Sequence, residues 1–179
     1  DEARQAFEKM GPPLAIKILH PNVRHKTEAG GVHLNVRTRE ELGRALAAID
    51  STVGSRYLLE RMAMPGPELL VGARRDPSFG PIVVLGTGGV GVEVDDDIAI
   101  RMAPPGDIDA HDMLGELRSA ARFRGHRGGP SVDENALASA IQKLAQVILF
   151  RDDIIEIEIN PLRVIEQGLI ALDALVVGR

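Results

Sequence analysis

The strand-like segments in the middle of the chain restrict the fold most, because they follow one another with no helix between them. Apolar and β-branched runs bounded by Gly, Pro or Asp are typical of strands, and such runs occupy residues 57–60, 68–74, 81–85 and 92–94. Parallel neighbours would need crossover connections of about a dozen residues or more. The short loops therefore predict antiparallel sheets and exclude the strict βαβα order of a doubly wound parallel sheet.

Helical patterns lie on both sides of these strands. Thr38 followed by Glu41 has the spacing of a capping box, which predicts the start of a helix. The predicted helices cover residues 3–10, 38–50, 110–121 and 134–150. With 179 residues and 44% hydrophobic content, the chain is long enough for a single domain. We therefore expect an α/β (α+β) domain of antiparallel or mixed sheets with flanking helices, in two lobes of approximately residues 1–55 and 56–179.

Composition excludes several classes of function. The net charge is −5 and both signs are mixed along the chain, so no basic stripe is available for nucleic acid. The chain has no Cys, which excludes a disulfide scaffold and a thiolate-ligated zinc site. Its apolar runs are shorter than the roughly 20 residues of a membrane span, so no membrane insertion is expected. A cytoplasmic protein is the expectation.

A predicted hairpin at the end of the chain carries the oxygen donors. Residues 155–160 alternate strictly, which places the isoleucines on one face and Glu156, Glu158 and Asn160 on the other. Asp173 lies in the apolar second strand, and an even-length turn near Gln167-Gly168 would place it opposite or diagonal to Asn160. Hard oxygen donors of this kind suit Mg²⁺ bound together with substrate phosphates.

The alternative for this hairpin is a half-exposed strand whose acidic face is solvated. Alternating strands are common, so the pattern alone leaves both interpretations open. Asp173 favours the metal site, because an unpaired carboxylate in an otherwise apolar strand is costly to bury.

Lys17 raises the matching question near the start of the chain. It stands between Ile16 and Ile18 in a predicted strand, so its side chain either extends to solvent or answers a buried anion. The loop of residues 25–31 contains His25 and Lys26 and ends in Gly30 and Gly31, whose backbone N–H groups could approach a phosphate. A plain hairpin turn explains these glycines equally well.

Two further features lie around the central strands. Residues 86–91 match GxGxxG, but a dinucleotide-binding loop must begin a helix, and a strand is predicted to follow here. A flexible glycine loop that closes over a ligand is the better interpretation. Glu60 and Glu68 flank the Pro/Gly segment 61–67 and could bind ribose hydroxyls, although two surface glutamates beside a turn would look the same.

Together these segments resemble a known family. Lys17, residues 25–32, Glu68 with residues 71–81, the 86–89 loop and residues 158–162 look like the ATP-grasp domain of NDP-forming acyl-CoA synthetases. This is the ADP-forming acetate–CoA ligase group, which is related to the succinyl-CoA synthetase β subunit. The resemblance implies an ATP-grasp fold and spans the chain from near Gly11 to its end.

The resemblance also implies roles for individual residues. Lys17 would contact the α and β phosphates, Glu60 the adenine and ribose side, and Glu68 the ribose. Asn160 and Asp173 match the Mg²⁺ ligands, with Glu158 beside them. Further residues implied are His25 as a phosphate relay, Gly30 and Gly31 as ATP contacts, and Arg74 and Arg101 as additional phosphate contacts.

The implied reaction converts ATP, a carboxylic acid and CoA into acyl-CoA, ADP and phosphate, through an acyl phosphate and a phosphohistidine. A CoA-binding domain or subunit would be the partner, in a homo- or hetero-oligomer. The family's domain begins with a further helix and strand, so this chain resembles a piece of a larger, multidomain protein that is inactive alone. The alternatives are a regulatory synthetase-like domain fused to a lysine acetyltransferase, and a carboxylate–amine ligase that does not require CoA.

Overall fold

A computed structural model describes residues 2–23, 26–52, 56–89, 97–125, 131–165 and 167–179. His25 and the predicted strand at 92–94 lie outside the described residues. The chain divides into two compact units, Asp1–Ala63 and Met64–Arg179. None of the helices in the described part has the length and apolar character needed to cross a bilayer.

The first unit is a three-stranded antiparallel sheet with two helices. Its elements are α1 (Glu2–Met10), β1 (Leu14–Ile18), β2 (Val32–Val36), α2 (Arg39–Thr52) and β3 (Tyr57–Arg61). The strand order is β2-β1-β3, so β1 is central. Because β3 pairs with β1 along its whole length, this unit extends past the boundary near residue 55 that the sequence suggested.

The core of the first unit is built from one face of β1 and the apolar sides of the helices. Alternate residues of β1 point to this face, as the two-residue period of a strand requires. The buried apolar residues are Phe7, Leu14, Ile16, Ile18, Val36, Leu42, Ala45 and Ile49. Lys17 therefore belongs to the opposite face of β1.

The capping box predicted for α2 is present. The Glu41 N–H donates to Oγ1 of Thr38 at 3.1 Å, and the Thr38 N–H donates to a carboxylate oxygen of Glu41 at 3.2 Å. These reciprocal bonds satisfy two of the backbone donors that a helix start leaves open. The local sequence is sufficient to begin the helix here.

The second unit is a larger antiparallel sheet covered by helices. Its elements are β4 (Glu68–Asp76), β5 (Gly80–Thr87), β6 (Ile98–Met102), α3 (Asp107–Glu116), a 3₁₀ turn (Ala120–Phe123), α4 (Glu134–Phe150), β7 (Ile154–Val164), β8 (Leu169–Ala171) and β9 (Ala174–Gly178). The strand order is β6-β5-β4-β7-β8, and β9 also pairs with β7. These antiparallel pairs confirm the fold class that the sequence predicted.

The two long helices of this unit were predicted with different success. The bounds of α4 agree with the prediction, and the Asp133 carboxylate accepts the Ala136 N–H at 2.9 Å as its N-cap. The prediction for α3 at 110–121 was displaced, because the helix begins at Asp107, where Asp109 accepts the Gly106 N–H. It ends at Glu116: the Leu117 N–H donates to the Leu114 carbonyl, and the following donors, of Arg118 and Ser119, turn to the Asp97 carboxylate.

Candidate functional site

Lys17 is buried and paired with an acid of the neighbouring strand. It is 8% exposed, and its Nζ lies 2.5 Å from Oε2 of Glu60. The register of β1 and β3 pairs Lys17 with Leu58 and Ala15 with Glu60, so Lys17 and Glu60 are diagonal neighbours on one face. Lys17 therefore does not extend freely to solvent, because its ammonium group is paired with the half-exposed carboxylate of Glu60.

The loop after β1 folds back onto that strand through Gly31. The Ile18 N–H donates to the Gly31 carbonyl at 2.7 Å, while the Gly31 N–H donates to the Lys26 carbonyl and the Gly30 N–H to that of Thr27. A Cβ on Gly31 would lie under 3.0 Å from the Ile18 side chain. Both glycine N–H groups are used inside the loop, as in a plain turn. The phosphate contact of Gly30 and Gly31 stays a prediction.

Asn160 and Asp173 lie opposite each other where the second sheet is interrupted. Leu69 pairs with Leu162 and Val71 with Ile159, so Asn160 and Pro161 both oppose a single β4 residue in a bulge. On the other edge β8 ends before Asp173 and β9 begins after it, and the Asn160 N–H donates to the Asp173 carbonyl at 3.1 Å. A β-bulge next to an active site typically redirects a side chain. The opposition agrees with the hairpin pattern, but the single second strand predicted at 169–176 is two strands.

The alternation of β7 holds only in part. Ile157 and Ile159 pack against the core, and Glu156 and Glu158 are half-buried on the other face. Ile155 breaks the prediction, because the pairing with β9 shifts register at the start of the strand and leaves Ile155 38% exposed. A shallow cavity of about 150 Å³ lies along this second face, next to Glu156 and Glu158.

The start of the glycine loop connects Glu68 with Asn160 by two hydrogen bonds. The Gly88 N–H donates to the Glu68 carbonyl at 2.8 Å, and the Gly89 N–H donates to Oδ1 of Asn160 at 3.2 Å. The Glu68 carboxylate forms an ion pair with Arg163 of β7. The same guanidinium donates to the Met64 carbonyl at 3.3 Å.

Arg163 is the residue of this cluster that the sequence interpretation missed. It is directly opposite Glu68 in the β4–β7 register, and its side chain is only 17% exposed. The available signal was a single Arg between Leu162 and Val164 in an otherwise apolar stretch, comparable to Lys17 between two isoleucines. Its partner lies far away in sequence, so the pair required the strand register.

The oxygen donors of the hairpin fit Mg²⁺. Asn160, Asp173 and Glu158 supply amide and carboxylate oxygens, the ligand type that this ion prefers. Among the described residues no three His, Asp or Glu side chains form a cluster able to hold a metal. One or two protein oxygens together with substrate phosphates and water make up the ligand set that Mg²⁺ usually takes.

Arg101 and Arg74, the further phosphate contacts that the resemblance implied, both lie beside carboxylates. Arg101 forms an ion pair with Glu116 of α3, and its Nε lies 3.8 Å from the Asp109 carboxylate. This guanidinium therefore joins β6 to α3. Arg74 is exposed, with Nη2 3.6 Å from the Asp76 carboxylate. The phosphate role of both residues stays a prediction.

Asp97 is a buried carboxylate immediately before β6. It is 7% exposed and accepts the N–H groups of Arg118 at 2.7 Å and Ser119 at 3.0 Å. Burial alone would raise the pKa of Asp97, but hydrogen bonds from Ser119 and Arg118 outweigh it and lower the pKa. Its own carbonyl accepts the Thr87 N–H at 3.3 Å, which ties β5 to the start of β6.

We expect Asp97→Asn to destabilise the protein by about 1–3 kcal/mol at neutral pH, because two backbone donors lose an ionised acceptor. A lowered folded-state pKa means that this contribution is complete above the unfolded pKa of about 3.9 and is lost as the pH falls through the folded pKa. Urea unfolding of both proteins at pH 7 and at pH 3 measures it. The exposed Asp112→Asn is the control. An equal difference between wild type and Asp97→Asn at both pH values would contradict the assignment.

Comparison with known proteins identifies the family. The model of the ATP-grasp domain family matches residues 1–177, and the chain belongs to this family. Acetate–CoA ligase (ADP-forming) I of Archaeoglobus fulgidus is 37% identical over 181 residues, which cover 97% of this chain and 26% of that protein. The β subunit of acetate–CoA ligase (ADP-forming) I of Pyrococcus furiosus is 36% identical, with 97% of this chain and 78% of that subunit covered.

A solved structure agrees with the fold. Dinucleotide forming acetyl-coenzyme A synthetase 1 of Ca. Korarchaeum cryptofilum, in complex with coenzyme A and Mg-AMPPCP, has a TM-score of 0.82 and 35% identity, and the match covers 99% of this chain and 82% of that chain. The predicted ATP-grasp fold is thereby confirmed. The relatives named above are ligases and a synthetase, which gives no support to the alternative of a regulatory domain fused to an acetyltransferase.

Proposed function

We propose that this chain is the nucleotide-binding part of an ADP-forming acyl-CoA synthetase, an acid–thiol ligase of the acetate–CoA ligase type. The observation that carries the proposal is the opposition of Asn160 and Asp173 at the break in the β7 hairpin, in a chain that belongs to the ATP-grasp family. Relatives that match nearly the whole chain are ADP-forming acetate–CoA ligases. The whole reaction is a proposal, because the chain spans about a quarter of the Archaeoglobus relative.

In this proposal Lys17 binds the α and β phosphates of ATP. Glu60 holds the ammonium group at 2.5 Å, so the positive charge is already in place before the nucleotide arrives. A preorganised charge of this kind costs no rearrangement during the reaction, which is how phosphoryl transfer is mainly assisted. Glu68, held by Arg163, would bind the ribose hydroxyls, and Glu60 would face the adenine and ribose side.

Asn160 and Asp173 would hold Mg²⁺, with Glu158 beside them. When bound, the ion neutralises charge on the phosphate oxygens. The chain's own contribution is the fixed position of these oxygens, since the bulge and the Asn160 N–H bond to the Asp173 carbonyl join the two residues through the backbone. Gly30 and Gly31 would let the loop approach the phosphates closely, and His25 would relay the phosphoryl group.

The proposed overall reaction joins a small carboxylic acid to CoA with ATP as the energy source. The phosphoryl group would pass through a phosphohistidine and an acyl phosphate before CoA displaces phosphate. A CoA-binding domain or subunit of the same enzyme is the proposed partner; the Pyrococcus relative is itself named a β subunit. We propose an oligomeric enzyme located in the cytoplasm.

Replacement of Asp173 by Asn in the full-length protein tests the nucleotide site. We expect Mg-ADP binding to weaken about tenfold or more, because one carboxylate that balances the cation is lost. Calorimetric titration with ADP in the presence of Mg²⁺ measures this change. Asp152→Asn, at a side chain that is 89% exposed, is the matched control.

Phosphate labelling separates an active ligase from a binding domain. Full-length protein together with its CoA-binding partner should become labelled from γ-labelled ATP, with one ADP released for each label. It should form ADP continuously only when CoA and acid are present. Unchanged Mg-ADP affinity in Asp173→Asn would contradict the metal assignment. ADP formation with an amine in place of CoA would favour the carboxylate–amine ligase alternative.

A further inference from the structure

Gly89 lies between the two polar residues that the proposed function assigns to metal and ribose. Its N–H donates to Oδ1 of Asn160 at 3.2 Å. On its other side, a Cβ added to Gly89 would lie under 3.0 Å from Oε2 of Glu68. The backbone here has a φ of 89°, which side-chain-bearing residues rarely adopt.

The hydrogen bond of Gly89 determines which atom of the Asn160 amide faces it. A backbone N–H only donates, so the partner is the amide oxygen and the NH₂ group is directed elsewhere. A carboxamide oxygen has two lone pairs, so it can accept this N–H and bind a cation at the same time. If the amide were free to turn over, it would present its NH₂ group, which cannot coordinate a metal.

The backbone before Gly89 is held as well. The Gly88 N–H donates to the Glu68 carbonyl at 2.8 Å, and a Cβ on Gly88 would lie under 3.0 Å from backbone atoms of Leu69. The donor of Gly89 is therefore attached to β4, a central strand of the sheet. A donor held against a central strand can orient Asn160 before any ligand is present.

We propose that Gly89 is a positioning residue that holds Oδ1 of Asn160 in the orientation required for Mg²⁺ and leaves space for the Glu68 carboxylate. This inference rests on the proposed function, because it gives a purpose to the orientation of Asn160. The role that it assigns to the glycine run is not the binding of a dinucleotide. Gly88 allows close contact with β4, and Gly89 directs a backbone donor at a proposed metal ligand.

The test compares Gly89→Ala with Gly80→Ala in the full-length protein. Gly80 also has a positive φ, of 78°, but a Cβ there would meet no atom within 4 Å, so it reproduces the backbone cost alone. ADP affinity is measured by calorimetry with excess Mg²⁺ and with EDTA. The ratio of the affinity with Mg²⁺ to the affinity with EDTA is then compared between each variant and the wild type. A displaced Glu68 weakens both affinities equally, whereas a misoriented Asn160 lowers only the ratio.

We expect the ratio to fall about tenfold in Gly89→Ala, the usual effect of removing a group that orients a metal ligand, and to stay unchanged in Gly80→Ala. In an Asn160→Asp background the effect of Gly89→Ala should be much smaller, because a carboxylate presents oxygen in either orientation. An unchanged ratio in Gly89→Ala, with normal Mg²⁺ enhancement in the wild type, would overturn the inference and leave the proposed function intact. No Mg²⁺ enhancement in the wild type would overturn both.

A second measurement does not depend on the folding of Gly89→Ala. Amide hydrogen exchange at Gly89 is compared between the wild type and Asn160→Ala, in which the acceptor is absent. We expect exchange of this single amide to become about tenfold faster, the equivalent of a hydrogen bond worth about 1.4 kcal/mol. Equal exchange in the two proteins would show that Gly89 does not hold Asn160, and would overturn the inference.

Discussion

Replacing Lys17 with Met is expected to lower the rate of phosphate transfer from ATP by a factor of about 10² to 10³. The reason is that, in the proposed site, Lys17 is a preorganised cation at the α and β phosphates. There it stabilises the charge that develops on the leaving ADP in the transition state, and one such donor is typically worth this much. Glu60 holds Lys17 at 2.5 Å in a buried position, so the cation is in place before the nucleotide binds. Labelling of the full-length protein from γ-labelled ATP measures the rate.

The loss of stability that follows when Glu60 no longer has Lys17 beside it must be distinguished from the loss of catalysis. Loss of one partner of a buried ion pair destabilises a protein, although here by less than usual because Glu60 remains 36% exposed. The double variant Lys17→Met with Glu60→Gln removes that charge and should recover stability but not activity. Lys143→Met, at an exposed site on α4, is the control for loss of a lysine. Recovery of activity in the double variant would show that Lys17 is only structural.

Replacing Gly66 with Ala is expected to destabilise the second unit by about 3 kcal/mol or more. A Cβ at this position would lie under 3.0 Å from the Val164 carbonyl oxygen, and a backbone atom in a paired strand cannot move aside as a side chain can. The Val164 N–H also donates to the Pro67 carbonyl at 2.9 Å, so both chains are held at the contact. Thermal and urea unfolding of the variant measure the loss.

The control for Gly66 is Gly115→Ala in α3. A Cβ on Gly115 would lie at an ordinary 3.4 Å from the Arg124 side chain, and Ala favours a helix over Gly by up to about 1 kcal/mol. We therefore expect this variant to be neutral or slightly stabilised. Equal stability of Gly66→Ala and wild type would show that the segment before β4 is free to move away from β7.

Much of the fold followed from short-range patterns. The capping box of Thr38 and Glu41 and the 3.6-residue period of α4 are interactions within a few residues, so the local sequence decides them. The end of α3 was misplaced for the opposite reason. Its stop depends on Asp97, some twenty residues earlier in the chain, whose carboxylate takes the backbone donors of Arg118 and Ser119.

The candidate site was predictable where it lies within one hairpin. Asn160 and Asp173 share a turn, so the two-residue period of the strands, with a turn of even length, placed them opposite or diagonal to each other. Arg163 and Gly89 were not predictable, because Arg163 meets Glu68 and Gly89 meets Asn160 only through the register of β4 with β7. Contacts between segments that are distant in the chain cannot be recognised from the residue pattern of either segment.

By itself, the sequence determined the antiparallel class of fold, the main helices and the oxygen donors of the last hairpin. These depend on the spacing of apolar residues, turn residues and caps, which act between neighbours in the chain. The tertiary structure decided that Lys17 is buried against Glu60, that Glu68 is held by Arg163, and that Gly89 directs its N–H to Asn160. Such contacts depend on strand register and close packing, which arise only when distant segments fold together.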